Sequence, residues 1–267
     1  PGRQNQLNST DTTGGIPVPR YFTRIFAPLA ALSLALTGCD MDININGKDG
    51  VPLADLDTSG DAPTGVALFG PDTIVVTEGE KLTISTEGDE KAVEALRFVL
   101  EDGTLAVMRD EDAGKNIGTA TVRVTLPALE DINMKGSGAV DAASMAGKLD
   151  INSAGSGKIT VAKLTAETLD LNVLGSGSIT ASGTVERLDL NVAGSGSADL
   201  AGVKVDKADI NVAGSGGASF ASDGTVDANI LGSGDVTVTG SATCEGNSVG
   251  AGKLRCNAAQ AEAEPAE

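Results

Sequence analysis

Six aspartates recur along this chain at a nearly constant step: Asp131, Asp150, Asp170, Asp189, Asp209 and Asp227. Two residues after each stands an asparagine (Asn133, Asn152, Asn172, Asn191, Asn211 and Asn229). Five residues after each stands the first glycine of a Gly-x-Gly corner, Gly-Ser-Gly in every copy (Gly136, Gly155, Gly175, Gly194, Gly214 and Gly232). Carboxylates at a fixed step could hold hard cations, since Ca²⁺ takes several carboxylate and carbonyl oxygens. They could serve a polysaccharide-cleaving enzyme as acid and base, or simply form a solvated acidic column. The glycine–aspartate nonapeptide of calcium-binding β-rolls is absent, so no residue is assigned as a metal ligand. The asparagines have a separate expectation: amides stacked at a β-sheet step hydrogen-bond along the stack.

Other chemistry is excluded by composition. The chain has no His and no Trp, and its single Tyr is Tyr21. Nucleophilic catalysis by a Ser–His or Cys–His pair therefore has no base, and a histidine zinc site has no ligand. The Gly-Ser-Gly triplets are not phosphate-binding loops, because they join strand to strand and no helix follows. A polysaccharide-cleaving enzyme needs a cleft walled by long loops. Here no repeat carries a long insertion, and aromatic residues make up 2% of the chain. No catalytic residue and no cofactor are assigned.

The elements that carry these columns follow from periodicity. Steps of 19, 20, 19, 20 and 18 residues between the aspartates read as a solenoid. Around each Asp and Asn the apolar residues alternate, as in Leu169, Leu171 and Val173 or Leu188, Leu190 and Val192. Period-two alternation predicts a strand with one buried face, leaving Asp and Asn on the outer face. A second alternation follows the triplet, with Ile159 and Val161, Ile179 and Ala181, and Val236 and Val238 facing inward. Each copy is then strand, corner, strand and a looser return. The corner glycine supplies φ > 0, which a Cβ disfavours. One coil cannot bury its inner face alone, so coils must stack at about 4.8 Å per step. The predicted fold class is all-β, a parallel β-helix with one short helix in its N-terminal part.

In chain order, residues 1–19 are polar and rich in Gly and Pro. Arg20 and Arg24 precede an apolar run from Ile25 to Leu36, which ends in Leu36-Thr37-Gly38-Cys39. That run is too short to span a bilayer and has the form of a signal-peptide core. The four residues look like a bacterial lipobox, which makes Cys39 the expected lipidation site and residues 1–38 the leader. Residues 39–64 read as a flexible tether. Residues 65–256 form the β-helix domain. Within it Asp89 reads as an N-cap, with Ala92, Val93, Leu96, Val99 and Leu100 as one helical stripe ending at Glu101-Asp102-Gly103. Gly250-Ala251-Gly252 reads as a degenerate seventh corner, flanked by Cys244 and Cys256. In an exported protein those two cysteines read as a disulfide. Residues 257–267 read as a disordered acidic tail.

These segments resemble the putative auto-transporter adhesin head family, also called the head GIN domain, from about Val66 to Cys256. The resemblance rests on the Gly-Ser-Gly repeats, on Glu87-Gly88-Asp89-Glu90, on Glu101-Asp102-Gly103-Thr104-Leu105 and on Val124-Thr125-Leu126-Pro127. It implies a right-handed β-helix and brings no catalytic residues with it.

The net charge is −18. Residues 1–38 hold Arg3, Arg20, Arg24 and Asp11, so the remainder sets 16 basic against 36 acidic groups, or −20. Such a surface repels nucleic acid and attracts cations and cationic peptides. The expected function is that of a non-enzymatic, lipid-anchored protein of the bacterial cell envelope, on its periplasmic face or surface. It would present a rigid acidic β-helix for adhesion, scaffolding or binding of an envelope protein, glycan or cationic peptide. The alternatives are a polysaccharide-active β-helix enzyme using Asp residues, and a sensor of cationic envelope-active peptides.

Overall fold

A computed structural model of the chain describes residues 50–114 and 116–257. They all lie in the second of the two units into which the chain divides, 42–267. Cys39, the leader, residues 39–49 of the stretch read as a tether and the acidic tail from 258 lie outside the described residues. The fold is a parallel β-solenoid, as the repeats predict.

The repeated coils begin with β7 (Asp131–Gly136), the corner and β8 (Ala139–Ala142), followed by β9 (Met145–Gly155). From there single strands run corner to corner: β10 (Lys158–Gly175), β11 (Ser178–Gly194), β12 (Ser197–Gly214) and β13 (Gly217–Gly232). The end is made of β14 (Asp235–Thr239), β15 (Thr243–Gly250) and β16 (Lys253–Asn257). The return segment is thus more regular than its sequence suggests. It stays within the ladder and absorbs differences in coil length as register shifts, between Val161 and Leu164 and between Ala166 and Thr168. Every repeat pairs in parallel with the next in one register, Asp on Asp, Asn on Asn and Gly on Gly.

The core is a set of stacked inner columns. Ile132, Ile151, Leu171, Leu190 and Ile210 lie over one another, each buried, as do Ile159, Ile179, Ala198 and Ala218 on the second strand of the coil. Two serines, Ser153 and Ser222, break the apolar rule. Ser153 sits between Met134 and Val173 in its column and is buried, and its hydroxyl has no hydrogen-bond partner.

Two glycines of each triplet do different work. Gly194 has φ +118°, and a Cβ there would stand 2.5 Å from the carbonyl oxygen of Gly175 in the coil before. Gly196 is buried, and its Cβ would stand 2.5 Å from Val173 Cγ1. The first glycine turns the chain and lets neighbouring corners touch, and the second leaves room for Val173 and the Gly177 oxygen of the coil before. The serine between them is exposed. Its N–H donates back one coil, as from Ser195 to the Gly175 oxygen at 2.8 Å.

The N-terminal end departs from sequence order. β1 (Gly65–Gly70) and β2 (Thr73–Glu78) form a coil that stacks beneath β7 and β8. The chain then leaves the stack through β3 (Thr83–Gly88), α1 (Glu90–Glu94) and β4 (Leu96–Glu101). It returns as β5 (Thr104–Arg109) and β6 (Ala120–Leu126), which lie beneath β1 and β2. β4 and β3 pair antiparallel with β5 and β6 and cover their open edges. An exposed parallel edge would template pairing with another chain, and the antiparallel strands prevent that. Val51 bridges to Phe98 on β4, and Leu53 and Leu56 pack against the core.

The helical stripe expected from Ala92 to Leu100 is corrected here. Helix α1 spans Glu90–Glu94, and Leu96, Val99 and Leu100 belong to β4. Asp102 and Gly103 have φ of +49° and +74°, the geometry of a tight two-residue hairpin turn. That turn joins β4 to β5, and pairing of Phe98 and Val99 with Val107 and Ala106 overrides the 3.6-residue spacing. Asp89 precedes the helix as expected. Its carboxylate accepts from the N–H of Thr119 at 2.9 Å, and no side-chain cap is formed.

Candidate functional site

The aspartates, asparagines and corner glycines of the repeats come together on one sheet face. Counting back from the corner glycine, the outward positions are a mostly apolar residue, then Asn, then Asp. The Asn residues form a hydrogen-bonded ladder. Asn152 Nδ2 donates to Asn133 Oδ1 at 2.9 Å, Asn172 to Asn152 at 2.9 Å, and Asn191 to Asn172 at 3.1 Å. Asn211 donates to Asn191 at 3.2 Å and Asn229 to Asn211 at 3.4 Å. Apart from Asn152, which donates to Asp150 as well, each donating amide keeps one N–H and spare carbonyl capacity for solvent or a ligand.

The carboxylates stand beside this ladder, each registered on the next. Partial burial, then the charge of Asp150, then Glu130 push the Asp131 carboxyl above its usual range. Asp170 is raised by burial and by Asp150. Asp189 is raised by burial and by Asp170 and Asp209, against the opposing pull of Arg187 and Lys207. Asn152 Nδ2 also donates to Asp150 Oδ1 at 2.5 Å, and Lys207 Nζ lies 3.9 Å from Asp209 Oδ2. Among the described residues no group of three or more Asp, Glu, Cys or His side chains converges on a metal-sized point. In-register stacking spreads the carboxylates along a line instead.

The columns run further than the six copies read from sequence. Glu245 pairs with Asp227, Asn247 with Asn229 and Gly250 with Gly232. Gly250 has φ +132°, so Gly250-Ala251-Gly252 is a true corner. The spacing of 18 residues from Asp227 and Asn229 could have located Glu245 and Asn247. At the other end Gly70-Pro71-Asp72 takes the corner position beneath Gly136-Ser137-Gly138, with Gly65 and Ala67 in place of Asp and Asn. No periodic signal marks it, because the excursion from β3 to β6 separates it from the repeats.

Cys244 and Cys256 are joined by a disulfide. They register on the buried Val226 and Val238. The bridge therefore lies across the end of the core, where the preceding coils place apolar side chains. Gly246 and Ser248 hold the other inward positions of β15, and Ser248 Oγ donates to the Gly252 oxygen at 2.8 Å. The last coil replaces apolar side chains with groups that tolerate water.

Comparison with known proteins agrees with this architecture. A crystal structure of a putative adhesin from Bacteroides fragilis superimposes with a TM-score of 0.67 at 22% identity, covering 74% of this chain and 93% of that one. A putative lipid binding protein from Parabacteroides distasonis gives 0.57 at 24% identity, over 75% and 94% of the two chains. A putative adhesin from Parabacteroides merdae gives 0.57 at 18% identity, over 73% and 92%. No curated protein matches the chain. The model of the family described as "Putative auto-transporter adhesin, head GIN domain" matches residues 62–242. With the fold and the repeat columns, that match shows that the chain belongs to the head GIN domain family.

Proposed function

We propose that this chain is a non-catalytic protein of the bacterial cell envelope that presents its acidic solenoid face to a partner or surface. The observation that carries this reading is the repetition of one Asp and one Asn at a fixed step along the sheet, between corners too tight to wall off a substrate. Such an array suits many weak contacts acting together. Family membership and the names of the structural relatives support adhesion as the class of activity. Leu36-Thr37-Gly38-Cys39 supports attachment to a membrane by a lipid on Cys39. The partner is an envelope protein, a glycan or a cationic peptide, and the charge of the chain disfavours nucleic acid.

To test this, the chain is immobilised and probed with envelope extract, peptidoglycan, acidic polysaccharides, lipid vesicles and cationic peptides at low and high salt. Saturable binding that weakens with salt supports the proposal. Turnover of a polysaccharide, abolished by replacing a single Asp of the column, would establish the enzyme instead. For the anchor, Cys39→Ser should abolish incorporation of labelled fatty acid, and unchanged labelling would rule out lipidation at this residue.

A further inference from the structure

We propose that the sheet face carrying the asparagine ladder is a docking surface for a cationic amphipathic helix lying along the solenoid axis. The inference rests on the binding reading above and gives the partner a chemistry and a place. Among the described residues the exposed large hydrophobics are Val51, Leu174, Leu231 and Val249. The last three share a single column, the residue just before each corner glycine, with Ala193 and Ala213 between them. Leu231, Val249, Ala193 and Ala213 border, with Asn211 and Asn229, a shallow groove of about 400 Å³, and Leu174 continues the column beyond it.

Four residues back along each strand runs the carboxylate column, about 13 Å away at about 3.3 Å per residue. An α-helix with its side chains is about 10–12 Å across. Laid over the asparagines, it reaches both columns at once, with apolar side chains on Leu174 and Leu231 and Lys or Arg toward Asp170 and Asp189. The helical pitch of about 5.4 Å is close to the rung spacing of about 4.8 Å, so successive turns meet successive carboxylates. From the Asp150 rung to the Glu245 rung the face offers about 24 Å, the length of about 16 helical residues.

Charge selects the occupant. Partial burial and then crowding in the column raise Asp170 and Asp189, and a cation beside them relieves the crowding. Lys135, the charged member of the apolar column, stands at the far end and marks where the surface stops. A second copy of the chain fits less well. Turned antiparallel to match apolar column against apolar column, it sets carboxylates against carboxylates.

The probe is a synthetic peptide of about 18 residues, made of Leu and Lys patterned as an amphipathic helix. Its control has the same composition, scrambled so that no apolar face forms. The full chain, immobilised through its N-terminus, should bind the patterned peptide roughly tenfold or more tightly than the scrambled one. Leu174→Asn combined with Leu231→Asn should reduce the patterned peptide to the level of the scrambled one. Asp170→Asn combined with Asp189→Asn should weaken both and flatten their salt dependence. All four side chains are on the outer face, and circular dichroism checks that the variants fold. Equal binding of the two peptides, or no effect of the leucine pair, would overturn the proposal. So would a self-associating chain that the leucine pair converts to monomer. If the peptide fails while salt-sensitive binding to envelope material persists, this inference falls and the broader reading stands.

Discussion

Asp72 and Arg109 close the N-terminal end of the solenoid through a two-point ion pair. Arg109 Nε donates to Asp72 Oδ2 and Nη2 to Oδ1, both at 2.7 Å. Asp72 is 1% exposed and also accepts from the N–H of Ala120 at 2.8 Å. Arg109 Nη2 donates in addition to the Gly118 oxygen at 2.7 Å. The pair ties the corner after β1 to the end of β5 and the start of β6, the two coils joined out of sequence order.

Removing one partner leaves the other charge buried and unpaired. Arg109→Met should therefore destabilise the domain by about 3–5 kcal/mol. Chemical denaturation reads the change. A loss under about 1 kcal/mol would mean that water reaches Asp72 in solution.

The two glycines of one corner should fail for different reasons. Gly194→Val imposes a side chain at φ +118° and should cost about 1–3 kcal/mol. Gly196→Ala should cost a similar amount by pressing on Val173 and on the Gly177 oxygen, and a double-mutant cycle with Val173→Ala should show the Val173 part of that cost relieved. Gly194→Val should gain nothing from Val173→Ala. Rescue of both, or of neither, would contradict the division of roles.

Ser153 offers a change in the opposite direction. Its buried hydroxyl is unpaired, so Ser153→Ala removes a desolvated polar group and should stabilise the fold by about 1 kcal/mol. A lower melting temperature would indicate that a bound water pairs the hydroxyl.

The carboxylate column gives a pH dependence of definite sign. Asp131, Asp170 and Asp189 are raised above the ordinary 3.8 in the folded chain. A raised carboxyl favours its protonated form on folding, so the ionised column costs stability. The cost is full above the folded values and is relieved as pH falls through them toward 3.8. Asp170→Asn with Asp189→Asn should thus be more stable than the parent at pH 7, by roughly 0.2–1 kcal/mol for each like-charge contact removed. The advantage should fade as the pH is lowered toward 4. Asp223 works the other way, held far below the usual carboxylate range by Lys204 and Ser241. Its contribution is present above 3.8 and is lost only at more acid pH. An advantage that grew on acidification would refute the assignment of the column's shift.

The repeat was legible because each copy carries its own instructions. Asp170, Asn172 and Gly175 state strand face and corner within six residues, and parallel in-register stacking follows from their identity with the next copy. The ends were harder because they lack a period. Leu96 to Leu100 carry helical spacing, yet the Asp102-Gly103 turn and the edge of β5 make them a strand. Asp72 gives no local sign that Arg109, 37 residues away, will pair with it. The exposed column of Leu174, Leu231 and Val249 was open to view in the sequence. Its meaning needed the register, because only stacking brings residues 57 and 18 positions apart onto one line.

If the outer face is the working surface of the molecule, binding depends on its residues and not on those of the other strand of the coil. Binding of envelope extract is measured for the parent chain, for Asp170→Asn with Leu231→Asn on the asparagine face, and for Thr180→Asn with Thr237→Asn on the other strand of the coil. The first pair should lower binding roughly tenfold or more, and the second should leave it unchanged. Equal losses from both pairs, or a loss confined to the threonine pair, would contradict that role of the outer face.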